Sequence, residues 1–367
     1  TGWNGKQYAV TADKNGSWKL SVSTPEAGGP YTITFDDGTP KTLNNILIGE
    51  LWLCSGQSNM EMPMKGFKNQ PVENANMDIL RSKNPHIRLF TVKRTSTITP
   101  QNDVVGSWKE AAPVSVRDFS ATAYYFGRLV NEILEVPVGL VVAAWGGSAC
   151  EAWMTADWLK AFPDAKIPQS EADIKSKNRT PTVLYNGMLH PLIGMTMKGV
   201  IWYQGESDAE IIDNAQNGML LKTMISSWRK AFRNPEMPFV MIQLPRINDP
   251  SKIRAGWPEF REMQDTVAKT VPQVYSVNTI DLGSTNADVH PPFKRPVGER
   301  AGNTALNKVY GKKVPCEGPA FKAFKTSGSS ILVQMEQAAG LTTTDGKKPA
   351  QFEIAGMDGI YHPATAE

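Results

Sequence analysis

Between residues 46 and 310, short apolar runs alternate with longer stretches in which apolar residues recur every third or fourth position. Few folds accommodate that alternation. Ile87-Arg88-Leu89-Phe90-Thr91-Val92 reads as a strand, as do residues 46–53, 138–144, 199–203, 239–244 and 275–282. Residues 118–134 place Phe119, Ala123, Phe126, Val130, Ile133 and Leu134 on one helix face. Further helices are expected over 214–232, 258–270 and 296–310. Strand and helix repeated in this way predict an α/β domain with a parallel sheet covered on both faces. Ligands of such sheets bind beyond the carboxyl ends of the strands.

The two ends of the chain read differently. Tyr8-Ala9-Val10-Thr11, Trp18-Lys19-Leu20-Ser21-Val22 and Tyr31-Thr32-Ile33-Thr34-Phe35 alternate apolar and polar residues, with Asn15-Gly16 and Gly28-Gly29-Pro30 as punctuation. Ser330-Ile331-Leu332-Val333-Gln334-Met335 returns to the same pattern near the end, with the turn Asp345-Gly346 after it. The expected division is a partial β-sandwich module over 1–47, the α/β domain over 48–315 and a C-terminal, incomplete β module over 316–367.

Composition excludes some functions. The net charge is only +3 and no run of lysines and arginines forms a stripe, so nucleic-acid binding has no electrostatic support. No apolar run approaches the ~20 residues that span a bilayer. The cysteines, Cys54, Cys150 and Cys316, lack metal spacing and permit one disulfide at most. The chain starts at Thr1 without a signal-like apolar region, so targeting information is expected to have been removed by processing or trimming.

Four polar turns follow predicted strands: Ser55-Gly56-Gln57-Ser58-Asn59, Trp145-Gly146-Gly147-Ser148, Gln204-Gly205-Glu206-Ser207 and Asn286-Ala287-Asp288-Val289-His290-Pro291. In a parallel sheet all four share one edge. A serine hydroxyl needs a base to act as a nucleophile, and imidazole is the usual one near neutrality. Of the four histidines, His86, His190, His290 and His362, only His290 sits in such a turn with an acid nearby. Gly146, Gly147 and Gly205 let backbone N–H groups approach an oxyanion, and the Gln204 amide can add a donor. Serine, imidazole and oxyanion donors together indicate acyl transfer, most simply ester hydrolysis.

Cys-Ser-Gly-Gln-Ser-Asn-Met-Glu-Met (residues 54–62), Trp-Gly-Gly-Ser, Trp-Tyr-Gln-Gly-Glu-Ser and Asp-Val-His-Pro resemble the blocks of the sialate O-acetylesterase family of carbohydrate esterases. Segments 119–127 and 186–188 are similar to further family segments, in the same order. The resemblance implies an SGNH-hydrolase (flavodoxin-like) three-layer domain flanked by β-sandwich segments. It makes Ser58 the nucleophile and His290 the general base. Ser58 N–H, Gly147 and Gln204 are then the oxyanion donors. Asp288 is the first choice of triad acid, with Asp281 or Glu206 next, or a backbone carbonyl in its place. The wider superfamily often carries Asp-x-x-His, and here that position is Ala287.

The implied substrate is an O-acetylated carbohydrate, foremost 9-O-acetylated sialic acid, with acetylated xylan as the near alternative and a catalytically vestigial sugar-binding protein as the rival. Neither cofactor nor metal is implied, and a secreted or periplasmic location follows from the family and its extracellular substrates. Against that family the chain is expected to be short of β-sandwich before residue 1 and of strands after residue 367.

Other residues admit plainer readings. Asn59, Trp153 and Glu206 are expected at the substrate, although Trp153 reads equally well as core, and Glu206 equally well as a residue that orients loops. Ser148 lacks the second glycine of a nucleophile elbow. His190 reads as packed, and Cys54 and Cys150 as buried and inert. Asn15-Gly16-Ser17 and Asn178-Arg179-Thr180 match the glycosylation acceptor pattern, one that is common by chance.

Overall fold

The computed structural model describes residues 1–209, 213–248, 256–284 and 288–367. It divides into two compact units, Thr1–Val314 and Pro315–Glu367. Residues 1–47 group with the first unit.

The first unit is built on a seven-stranded sheet. Its strands are β3 (Glu50–Gly56), β4 (Asn84–Thr91), β5 (Lys109–Ala111), β6 (Val138–Ala144), β7 (Gly199–Tyr203), β8 (Phe239–Ile242) and β9 (Val274–Val277). An antiparallel hairpin, β1 (Gly28–Phe35) with β2 (Lys41–Ile48), precedes them. The sheet order is β5-β4-β6-β3-β7-β8-β9. Every pairing is parallel except β4 with β5, so a short antiparallel strand closes one edge. The chain leaves β3 toward one side of the sheet and returns to fill the other from β7 onward. The turns after β6, β3 and β7 therefore meet at the sheet centre, where α/β folds place ligands.

Helices α1 (Ser58–Glu61), α2 (Ala75–Leu80), α3 (Pro113–Val116), α4 (Ala121–Leu134), α5 (Ala156–Leu159), α6 (Asn214–Ala231), α7 (Trp257–Thr270) and α8 (Lys294–Lys308) complete the unit. The period of two along the strands sends side chains alternately to two cores. Trp52, Cys54, Leu140, Val142, Ile201 and Tyr203 face one, with Tyr125, Phe126 and Val130 of α4 and Val297, Ala301 and Ala305 of α8. Leu53, Val141, Ala143, Val200 and Trp202 face the other, with Leu221, Met224, Ile225 and Trp228 of α6 and Val267 of α7. This is a three-layer α/β arrangement. Cys54 and Cys150 belong to opposite cores as free thiols, and burial pushes both well above the usual thiol range.

Local chemistry explains the helix ends. Ser120 caps α4 by accepting the Ala123 N–H at 3.1 Å, and Glu135 ends it in the left-handed conformation just before Pro137. Asp213 caps α6 through the N–H groups of Ala215 and Gln216, at 2.9 and 3.1 Å.

Three expectations are corrected. Residues 46–53 are not one strand: β2 ends at Ile48 and β3 begins at Glu50, in a different sheet. Residues 275–282 are the short strand β9 followed by a 3₁₀ turn over Ile280–Leu282. Tyr8–Thr11 and Trp18–Val22 form no strands. No helix among the described residues is long and apolar enough to cross a membrane.

The second unit, considered by itself, holds two hairpins. One pairs β10 (Ala320–Ser327) with β11 (Ser330–Glu336), the other β12 (Phe352–Ala355) with β13 (Tyr361–Ala364).

Candidate active site

Ser58 lies at the end of the central strand β3, as the first residue of α1, and is half-buried. The strand delivers it through Gly56. With φ +137, that residue sits where an added Cβ would lie 2.0 Å from the Tyr203 carbonyl oxygen, so only glycine fits. The Gln57 N–H donates to that same carbonyl at 3.0 Å.

The turn that carries Ser58 is bonded to each of the other three turns. Toward the second, the Trp145 N–H donates to the Gly56 carbonyl at 3.2 Å and Ser148 Oγ to the same oxygen at 3.3 Å. Toward the third, Gln57 Oε1 accepts the N–H groups of Gly205 and Ser207 at 3.2 and 3.3 Å. Toward the fourth, Asn59 Nδ2 donates to the Val289 carbonyl at 2.8 Å. Asn286 and Ala287 of that fourth turn lie outside the described residues. The three other turns, distant in sequence, are thus each bonded to the turn that carries Ser58.

His290 is held on several sides. Its Nδ1 is 3.0 Å from Gln70 Oε1, and its ring packs edge-on against Phe67 with centroids 5.2 Å apart. Asp288 Oδ1 is 3.9 Å from His290 Nδ1, and instead accepts the His290 backbone N–H at 2.9 Å and Gln70 Nε2 at 3.0 Å. The acid therefore reaches the imidazole ring through Gln70 rather than by a direct hydrogen bond. Asp281, the second-choice acid, is engaged elsewhere, in a bidentate pair with Arg300 at 2.6 Å.

Among the described residues the Ser58 and Gly147 N–H groups meet no intrachain acceptor. Gly146 lies against Ser58, since a Cβ built on it would be 3.2 Å from Ser58 Cβ. Its own N–H, however, donates to Glu61 Oε2 at 2.8 Å. Glu61 also pairs with Arg94 at 2.5 Å, and Arg94 lies over the Trp145 ring.

The expected role of Gln204 needs correction. Its Nε2 donates to the Ser148 carbonyl at 3.1 Å and to Asp208 Oδ2 at 2.7 Å, which uses both amide hydrogens. It braces the second and third turns instead of offering a donor to an oxyanion. Asp208 also accepts the Cys150 N–H at 3.0 Å. Burial and the nearby Glu151 drive its carboxyl up to about 7, against the hydrogen bonds from Gln204 and Cys150.

Two expected substrate contacts are corrected as well. Asn59 is fully buried; it donates to Glu206 Oε1 and Val289, and its Oδ1 accepts from Lys294 Nζ. Trp153 is fully buried too, with its indole N–H on Ser148 Oγ at 3.0 Å and its ring edge-on to Trp202. Glu206 is nearly sealed and takes Asn59, the loop-orienting alternative of its two readings. His190 is packed, with Nδ1 on the Gln101 carbonyl at 2.8 Å.

Lys294 and Gln70 escaped the sequence reading. Lys294 is 1% exposed, at the start of α8, over the Tyr203 ring. Burial drives its ammonium down to about 7, although Glu206 and Asp288 favour the charge. Lys294 is the first residue of α8, four residues after His290, and nothing local to it marks it as buried.

A family model described as carbohydrate esterase, sialic acid-specific acetylesterase, matches residues 48–306. The sialate O-acetylesterase of Pongo abelii is 29% identical over 335 aligned residues, covering 83% of this chain and 62% of that protein. The sialate O-acetylesterase of Mus musculus is 28% identical over 408, covering 95% and 74%. The chain thus spans less than two thirds of the first relative's length. The crystal structure of a carbohydrate acetylesterase from Xanthomonas citri matches with a TM-score of 0.87 at 32% identity, over 99% of this chain and 81% of that one. By the extent of the family match and the order of its site turns, the chain belongs to the sialic acid-specific acetylesterase family of carbohydrate esterases.

Proposed function

We propose that the protein is a serine esterase that removes O-acetyl groups from carbohydrates, with Ser58 as nucleophile and His290 as general base. The observation that carries this reading is the convergence of four turns on Ser58, with His290 one residue from the carbonyl that Asn59 holds. Ser58 Oγ attacks the acetyl carbonyl while His290 takes its proton. The oxyanion is stabilised by the N–H groups of Ser58 and Gly147, which are aimed at no internal acceptor among the described residues. His290 then protonates the departing sugar hydroxyl, and water activated by the same imidazole clears the acetyl-enzyme.

The substrate we put first is 9-O-acetylated sialic acid, on the strength of the family match and the named relatives. Acetylated xylan is the second reading, since the structural neighbour is described only as a carbohydrate acetylesterase. Either sugar places the enzyme outside the cytoplasm, secreted or periplasmic.

The test is acetate release from 9-O-acetylated sialic acid and from acetylated xylo-oligosaccharide, side by side, for the wild type and Ser58→Ala. Release from one sugar, abolished in the folded variant, is the expected result. Unchanged release in Ser58→Ala would overturn the nucleophile. No release from either sugar by the wild type would overturn the esterase reading in favour of sugar binding alone.

A further inference from the structure

We propose that Gln70 is a positioning residue that sets the tautomer of His290, standing between the Asp288 carboxylate and the imidazole as an amide relay. The inference rests on the esterase reading of Ser58 and His290.

Donor and acceptor accounting gives the relay its direction. An ionised carboxylate only accepts, so the group facing Asp288 Oδ1 at 3.0 Å must be the Gln70 nitrogen. The amide oxygen then faces His290 Nδ1 at 3.0 Å, and an amide oxygen also only accepts. Nδ1 must therefore carry the proton, which leaves Nε2 with its lone pair and fit to act as base. Asp288 lies 3.9 Å from Nδ1, beyond hydrogen-bonding reach, so the hydrogen-bonded path from its Oδ1 to the ring runs through the amide.

The backbone around Gln70 is built to hold it there. Phe67 and Gln70 exchange backbone bonds, each N–H donating to the other's carbonyl, at 3.0 and 3.1 Å. The Gly66 N–H donates to the Pro63 carbonyl at 2.7 Å. Gly66 has φ +78, and a Cβ there would lie 2.3 Å from the Gln70 carbonyl oxygen, so the loop closes only with glycine. One tight loop thus presents both the Phe67 edge and the Gln70 amide to the same imidazole.

A neutral amide stabilises the imidazolium less than a directly bonded carboxylate does. Among the described residues, Asp288 lies 3.9 Å from the ring's Nδ1 and Lys294 acts in turn on Asp288. Gln70→Glu keeps an acceptor on Nδ1 but sets a second carboxyl against Asp288 Oδ1, so the pair holds one proton between them and the net charge beside the ring stays that of the wild type. Gln70→Leu removes the acceptor and frees the tautomer.

The experiment is ¹⁵N NMR of the imidazole nitrogens in the resting protein, with His290 identified among the four histidines by comparison with His290→Ala. Alongside it, kcat and KM are measured for acetate release. The expected result is Nδ1–H in the wild type and a shift toward Nε2–H in Gln70→Leu. In that variant kcat falls by about 10- to 100-fold with KM held. Gln70→Glu restores the Nδ1–H tautomer and most of kcat, with the acid limb of the pH–rate profile where the wild type has it. A wild-type tautomer and wild-type kcat in Gln70→Leu would overturn the proposal, as would Nε2–H in the wild type. If the wild type released no acetate, the esterase reading would fall, while the tautomer measurement would still decide the role of Gln70.

Discussion

Asn59 donates its side-chain amide to the Val289 carbonyl at 2.8 Å, which fastens the residue after Ser58 to the residue before His290. The same amide nitrogen serves Glu206, and its oxygen accepts from Lys294, so one buried asparagine holds three elements at once. The turns that carry Ser58 and His290 are thus tied together from beneath, by buried groups.

Asn59→Ala should therefore act on both stability and rate. It strips a hydrogen bond from a buried ammonium and a nearly buried carboxylate, at a cost of about 3 kcal/mol. Loss of the tie to Val289 lets the histidine loop drift and lowers kcat by about 10²-fold. Urea midpoints and acetate release measured on the same preparation check both effects, and a variant with unchanged kcat would show that the tie does not position His290.

Gly56→Ala tests the strand end. The added methyl would stand 2.0 Å from the Tyr203 carbonyl oxygen at a φ of +137, so either β7 or the Ser58 turn must move. The expected loss is about 3 kcal/mol or more, with activity gone even in the fraction that folds. Chemical denaturation followed by tryptophan fluorescence, paired with acetate release, reads both.

Lys294 gives stability a signed pH dependence. Its amine ionises near 10.5 in the unfolded chain and near 7 in the fold. Between those values the unfolded chain binds more protons, so this group makes stability rise as pH rises from about 7 toward 10.5. The penalty of burying the charge is complete below pH 7. Lys294→Met should flatten that rise, and a slope identical to the wild type's across urea midpoints at pH 7, 8.5 and 10 would refute it.

Asp208 has the opposite sign. Its carboxyl ionises near 3.8 unfolded and near 7 in the fold, where burial and then Glu151 oppose the charge. Between those values the native state binds more protons, so stability falls as pH rises through that window. Asp208→Asn can still accept from Gln204 and Cys150, and it should remove the fall. Melting temperatures from pH 4 to 7.5 check it: the wild type declines relative to the variant as pH rises.

What could be read from the chain followed the periods of its apolar residues. The strands at 138–144 and 199–203 and the helix ending at Leu134 stand where alternation and three-to-four spacing put them, because each packs on the sheet as its local pattern demands. Residues 46–53 misled because Ile46-Leu47-Ile48 and Leu51-Trp52-Leu53 are apolar on both sides of Gly49-Glu50, where the chain changes sheets. Ser58 and His290, the residues proposed for the site, were legible as polar residues in turns after strands. Asn59 and Trp153 were misplaced because burial depends on partners such as Lys294 and Ser148, and no local pattern names those. Gln70 and Lys294 were invisible for the same reason: a glutamine in a polar loop and a lysine beside an arginine read as solvated surface until the fold covers them.

The bonds beneath the site also set a chronology. Asn59 is linked to Lys294 across a sequence separation of 235 residues and to Val289 across 230. Contacts at such separations close late, after the loops between them have been ordered. A nascent chain carries Ser58 early, yet lacks the Lys294 anchor beneath Asn59 until α8 has been made and docked. On the proposed reading, a chain cut short before residue 290 would hold a serine without its base, and one cut before residue 294 would hold both with Asn59 short of one of its anchors.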